Sequence, residues 1–170
     1  MPERTSLRCA IVTVTAVALT AVITAYFEQQ RLRQRDVADT LQPIAALLAD
    51  NQKIIESLKK DGYASSAGAI VSTYLARIRK DGIPNNSPMK ERVDALVSNN
   101  TTIVALLSKY LPRAHSAEFR VAAGKFTDYA SSLRVEWQSV FEIFMAGGNV
   151  PVTAPEIPAG FAQAVATEAS

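Results

Sequence analysis

Apolar residues recur with helical spacing along most of this chain, and the pattern changes character once, near residue 28. Cys9–Phe27 is nineteen residues without a charge, bounded by Arg8 and Glu28. At about 1.5 Å of rise per residue, a helix of that length spans roughly 28 Å, close to the hydrocarbon thickness of a bilayer. The pattern predicts a transmembrane anchor over 9–27 behind a short cytoplasmic N-terminus, 1–8. A secretory signal shares this layout, with Arg4 and Arg8 ahead of an apolar run. Cleavage after Ala25 would place the bulky Ile23 where a small residue is required, which argues for retention.

Beyond Glu28 the apolar residues narrow to one helical face. A first segment, Glu28 to Lys60, carries Val37, Leu41, Ile44, Leu48, Ile55 and Leu58, with Asn51 at the step an apolar residue would fill. Pro43 removes one backbone hydrogen bond and predicts a kink or a split near Thr40–Gln42. Lys59 and Lys60 form a basic last turn, and Gly62 is the expected left-handed cap. A second segment starts at Ser65 or Ser66, carries Ile70, Val71, Tyr74, Leu75 and Ile78, and stops at Lys80. A third is capped by Ser87, opens on Pro88 and runs to Leu111 with Val93, Val97, Val104 and Leu107 inside and Asn100 at the skipped step. A fourth begins within Pro112–Ser116 and ends near Ala146, with Phe119, Ala122, Phe126, Tyr129, Leu133, Trp137, Val140 and Phe144 on its buried face. No alternating run with hairpin turns reads as a strand.

The expected fold is therefore all-α: an N-terminal transmembrane helix, then an antiparallel up-down-up-down four-helix bundle over 28–146 with helices of unequal length. Residues 147–170 hold Pro151, Pro155 and Pro158 and are expected to form a flexible tail, with Phe161–Ala166 suited to a short helical turn.

The unequal lengths matter. The first and fourth helices each run roughly 50 Å, and near the membrane only those two reach. Half of the chain's aromatic residues lie on the fourth helix, whose end is apolar nearly all round. Phe126, Tyr129, Leu133, Trp137, Phe141 and Phe144 are the expected interaction surface, for a protein partner, a second copy or the bilayer interface, against the alternative that the bundle covers them itself.

Charge and chemistry narrow the functional classes. A net charge of +2 with mixed signs offers no basic stripe, so nucleic acid is not an expected partner. Cys9 is the only cysteine, so no disulfide forms within the chain. Thr13, Ala16, Thr20 and Thr24 form a small-residue stripe of the kind that brings two anchors together, but ordinary lipid-facing Ala and Thr explain it more simply. The single histidine, His115, precedes Glu118 in the reverse of the di-iron Glu-x-x-His order, and a structural or exposed role is expected of it. Zinc ligation fails for want of His and Cys, and a Ser-His-acid triad would have to use His115. No catalytic, cofactor or metal residues are assigned, and membrane lipid is the partner expected of residues 9–27.

Asn51 and Asn100 are candidate buried polar residues that set helix register. They either pair with each other, face a small polar ligand, or sit at the edge of the stripe. Asn85-Asn86-Ser87 and Asn99-Asn100-Thr101 match glycosylation acceptors, the second weakened by its place inside a helix.

These features lead to a single-pass inner (plasma) membrane protein with an extracytoplasmic bundle, acting as a non-catalytic binding, scaffold or accessory subunit. One alternative is a ligand-sensing module. At the level of fold the arrangement resembles the four-helix sensory domains of chemoreceptors, which implies a ligand taken between helices. It departs from them in having no second span and no signalling part after the fourth helix. Another alternative is a phage- or envelope-type lysis (spanin-like) protein, against which the short capped helices count.

Overall fold

The computed structural model describes residues 3–61, 88–145 and 158–170, and side chains within these except at 3–18, 89 and 140–145. Every described element is helical: α1 (Glu3–Asp36), a π-helical stretch (Val37–Leu41), α2 (Gln42–Lys60), α3 (Pro88–Tyr110), a 3₁₀ turn (Leu111–Arg113), α4 (Ala117–Met145) and α5 (Phe161–Ala169). The expected helix at 65–80 and the Gly62 cap lie outside the described residues, as do Pro151 and Pro155. The chain divides into two units, Met1–Asp39 and Thr40–Ser170.

The first unit is dominated by α1, an unbroken 34-residue helix. Its apolar side chains from residue 19 onward are open: Leu19, Val22, Ile23, Tyr26 and Phe27 are 46–66% exposed. Among the described residues no helix is long and apolar enough to cross a membrane. Cys9–Ala18, half of the charge-free stretch, are not among the side chains described.

The second unit begins where Pro43 acts. A proline cannot return a hydrogen bond to the carbonyl four residues earlier, and its ring crowds that carbonyl. Pro43 sits in the first turn of α2, where its lack of an N–H is harmless. The preceding residues adopt the wider π-helical turn instead. The expected split is therefore present, one turn earlier than Thr40–Gln42 at its start.

Heptad-like rows meet in the core. Leu41 is buried from the π-helical stretch, Ile44, Asn51, Ile55 and Leu58 from α2, and Val93, Leu96, Asn100, Ile103, Leu107 and Tyr110 from α3. From α4 come Phe119, Ala123, Phe126, Ala130, Leu133 and Trp137, with Tyr129 beside them. The α3 face is centred one residue away from the expected stripe: Leu96, Ile103 and Tyr110 are buried, whereas Val97, Val104 and Leu111 are half-buried flanks. Ala122 likewise yields the centre of α4 to Ala123 and Ala130, whose small side chains admit a neighbouring helix closely.

The expectation of a flexible tail is corrected for its last part. Residues Phe161–Ala169 form a helix that packs against both α2 and α4, and α2 and α4 each pack against α3. Phe161 and Val165 are almost completely buried. The three prolines suggest a loose chain, but Phe161, Val165 and Glu168 fall on one face of a single helix, and burying that face ties it down. Gly160, with φ of 85°, turns the chain into α5 in a conformation other residues resist.

Candidate functional site

Asn51 and Asn100 are brought together inside the bundle. Asn51 Nδ2 donates to Asn100 Oδ1 at 2.8 Å, and Asn99 Nδ2 donates to Asn51 Oδ1 at 3.0 Å. The edge-of-stripe alternative is thereby excluded: Asn51 and Asn100 are 5% and 1% exposed. Asn99, the acceptor position of the glycosylation match, is half-buried and engaged in this network. The match at Asn85 lies outside the described residues.

The remaining donor of this layer, Asn100 Nδ2, is buried and faces Tyr129: burial pushes the phenol up to about 12, and a hydrogen bond from the Asn100 side chain offsets part of that rise. Beside these groups lies a cavity of about 330 Å³ walled by α2, α3, α4 and the start of α5. Leu48, Ile55, Leu96 and the stacked pair Phe126–Phe161 (ring centroids 4.4 Å apart) supply its apolar walls. Gln52, Glu56 and Lys59, all exposed, line it where it opens.

The aromatic face of α4 turns inward. Phe126, Tyr129, Leu133 and Trp137 are 1–6% exposed, so the expected interaction surface is corrected at these four positions: the chain's own helices cover them. Trp137 Nε1 donates to Asp94 Oδ1 at 2.7 Å, and Asp94 also pairs with Lys90. The Asp94 carboxylate thus holds a core side chain in place. The side chains of Phe141 and Phe144 lie outside those described.

Sequence reasoning missed Glu168. It is 5% exposed and its carboxylate accepts from Tyr110 Oη (3.0 Å), His115 N (2.7 Å) and Ser116 N (3.1 Å). Two of these donors are backbone groups just before α4, where N–H groups lack intrahelical partners. Ser116 adds an ordinary cap, its Oγ accepting from Phe119 N at 3.2 Å. The only available signal was Glu168 standing seven residues after Phe161, on the apolar face of the tail. His115 contributes its backbone, and its side chain is exposed. Among the described residues no group of three His, Cys, Asp or Glu is placed to hold a metal ion.

No protein-family model matches the chain, and no solved structure matches it. The chain is similar to the large ribosomal subunit protein uL3 of Rickettsia akari (strain Hartford), at 29% identity over 122 residues covering 71% of this chain and 45% of that protein. It therefore spans less than half the length of this curated relative.

Proposed function

We propose that this chain is a membrane-tethered helical-bundle protein that acts by binding rather than by catalysis, with its bundle on the extracytoplasmic side of the inner (plasma) membrane. The tether is supported by α1: a continuous helix contains the charge-free Cys9–Phe27 stretch, and its apolar side chains from Leu19 to Phe27 have nothing over them. Water does not favour such a helix, and hydrocarbon does. In fractionation, the intact chain is expected in the membrane fraction and released only by detergent, whereas a chain beginning at Glu28 stays aqueous. Recovery of the intact chain in the aqueous fraction without detergent overturns the tether.

Within that reading the cavity favours a small-ligand sensor over a scaffold. Burial of Phe126, Tyr129, Leu133 and Trp137 withdraws those four positions from any partner surface, and the cavity is a mostly apolar recess with convergent polar groups. A lysis or spanning role draws no support from helices that fold back on one another. A place in the large ribosomal subunit, suggested by the likeness to uL3, would put the chain among nucleic-acid phosphates, and a net charge of +2 supplies little to meet them.

A further inference from the structure

We infer that the seat of α5 is a recognition site for a short amphipathic helix with an aromatic, an apolar and an acidic residue at its first, fifth and eighth positions. The last helix of this chain is its detachable occupant, and α2, α3 and α4 stay folded when it lets go. The inference goes beyond the small-molecule reading above and does not need the cavity to be filled.

Three residues carry the contact. Phe161, Val165 and Glu168 stand at i, i+4 and i+7 on one face of α5 and are 1–5% exposed, while Ala162, Gln163, Ala166 and Thr167 face water. This is the anchor spacing of helices that bind in grooves. Phe161 stacks on Phe126 of α4 with ring centroids 4.4 Å apart and planes 21° apart. The seat is as selective for the acid. Glu168 Oε1 accepts from Tyr110 Oη and His115 N, and Oε2 accepts from Ser116 N. Both oxygens are used, whereas an amide side chain has only one. The two backbone donors stand at the start of α4, where the helix dipole favours an anion.

The occupant is separable. Nine residues are too few for a helix to persist alone in water, so α5 orders on its seat and leaves it as a unit. The body does not depend on it for contact between its helices, because α2 and α4 each pack against α3. The connection is slack as well. α4 continues nineteen residues past Phe126 to Met145, about 28 Å. Residues 146–160 bring the chain back to Phe126, and fifteen residues reach up to about 50 Å. Such a tether holds α5 at an effective concentration of about 1 mM without adding a contact. The same sequence from a second copy of this chain meets the same seat and makes the same bonds.

The test uses the full chain in detergent micelles. In wild-type hydrogen exchange, the amides of residues 164–169 should exchange together, at least tenfold faster than the buried amides of α3 and α4. Phe161→Ala/Glu168→Ala should release α5 and leave the protection of α2, α3 and α4 in place. A synthetic peptide of residues 158–170 added to that variant should then shift the His115 and Ser116 amide signals in ¹⁵N NMR spectra. A docked-to-open ratio of about 100 in wild type corresponds to a peptide Kd of about 10 μM. The peptide carrying Glu168→Gln should bind about tenfold or more weakly. Exchange of α5 at the rate of the α3 and α4 core, or loss of protection throughout the double variant, overturns separability. Unmoved His115 and Ser116 signals at 1 mM peptide, or equal shifts from a scrambled peptide of the same composition, overturn recognition at the seat.

Discussion

The Tyr110 hydroxyl donates to the Glu168 carboxylate at 3.0 Å, joining the end of α3 to the last helix of the chain. The same carboxylate receives the backbone N–H groups of His115 and Ser116. One side chain thereby closes the α3–α4 corner and holds α5 against it.

Removing that carboxylate strands three donors. Glu168→Ala is expected to destabilise the bundle by about 3 kcal/mol, and Tyr110→Phe, which deletes the hydroxyl's bond to Glu168, by about 1 kcal/mol. Urea unfolding followed by circular dichroism measures both. An Ala variant as stable as wild type would show that Glu168 does not hold α5 in place.

The asparagine pair predicts non-additivity. Asn51→Leu alone leaves Asn100 Oδ1 and Asn99 Nδ2 without their partner, and a loss of about 1–3 kcal/mol follows. The double variant Asn51→Leu/Asn100→Leu replaces both with apolar groups and should recover much of that loss. A double-mutant cycle is expected to give a coupling of about 1 kcal/mol or more. Strict additivity would mean that the pair does not act as a unit.

Tyr129 makes stability depend on alkaline pH. Its folded value lies at about 12, above the ordinary 10.0, because burial disfavours the phenolate. The unfolded chain therefore releases the proton first as pH rises, and the folded state keeps it. The associated stability is complete below pH 10 and is lost between about pH 10 and 12, on the order of 2–3 kcal/mol. Tyr129→Phe should flatten that part of the stability profile. In ultraviolet titration one of the five tyrosines should ionise later than exposed tyrosines do.

Glu136 predicts an effect in the ordinary range. Its Oε2 is buried without a hydrogen bond, and burial pushes its carboxyl up. A raised folded value means that ionising the group opposes folding, so the stability of the protonated form is lost as pH rises past the usual carboxylate range. Glu136→Gln should raise the melting temperature at neutral pH, and the gain should fade on acidification. A gain that persists unchanged at low pH would place its origin elsewhere.

Trp137 is the chain's only tryptophan and is 4% exposed. Its emission should be blue-shifted, resist quenching by acrylamide and stay unchanged when lipid vesicles are added. A red-shifted, readily quenched signal would return the face of α4 to the role of a contact surface.

The helical periods of α2, α3 and α4, the proline split and the place of Asn51 and Asn100 on buried faces could be read in the sequence because local steric and periodic rules set them. Which residue stands at the centre of each face could not. Val97 and Leu96 are equally apolar neighbours, and only the direction of the packed partner helix makes Leu96 central and leaves Val97 on the flank. The cavity, the meeting of Asn100 with Tyr129 and the Glu168 junction were invisible for the same reason: each joins residues tens of positions apart, and no local pattern encodes such a meeting. The chain by itself determined an all-helical architecture, an uncharged opening stretch and two polar interruptions in its core stripes. Tertiary packing alone decided that the aromatic face of α4 turns inward, that a proline-bearing tail ends in a packed helix, and that the two interruptions meet beside a cavity, because burial is a property of the assembled helices and not of any one of them.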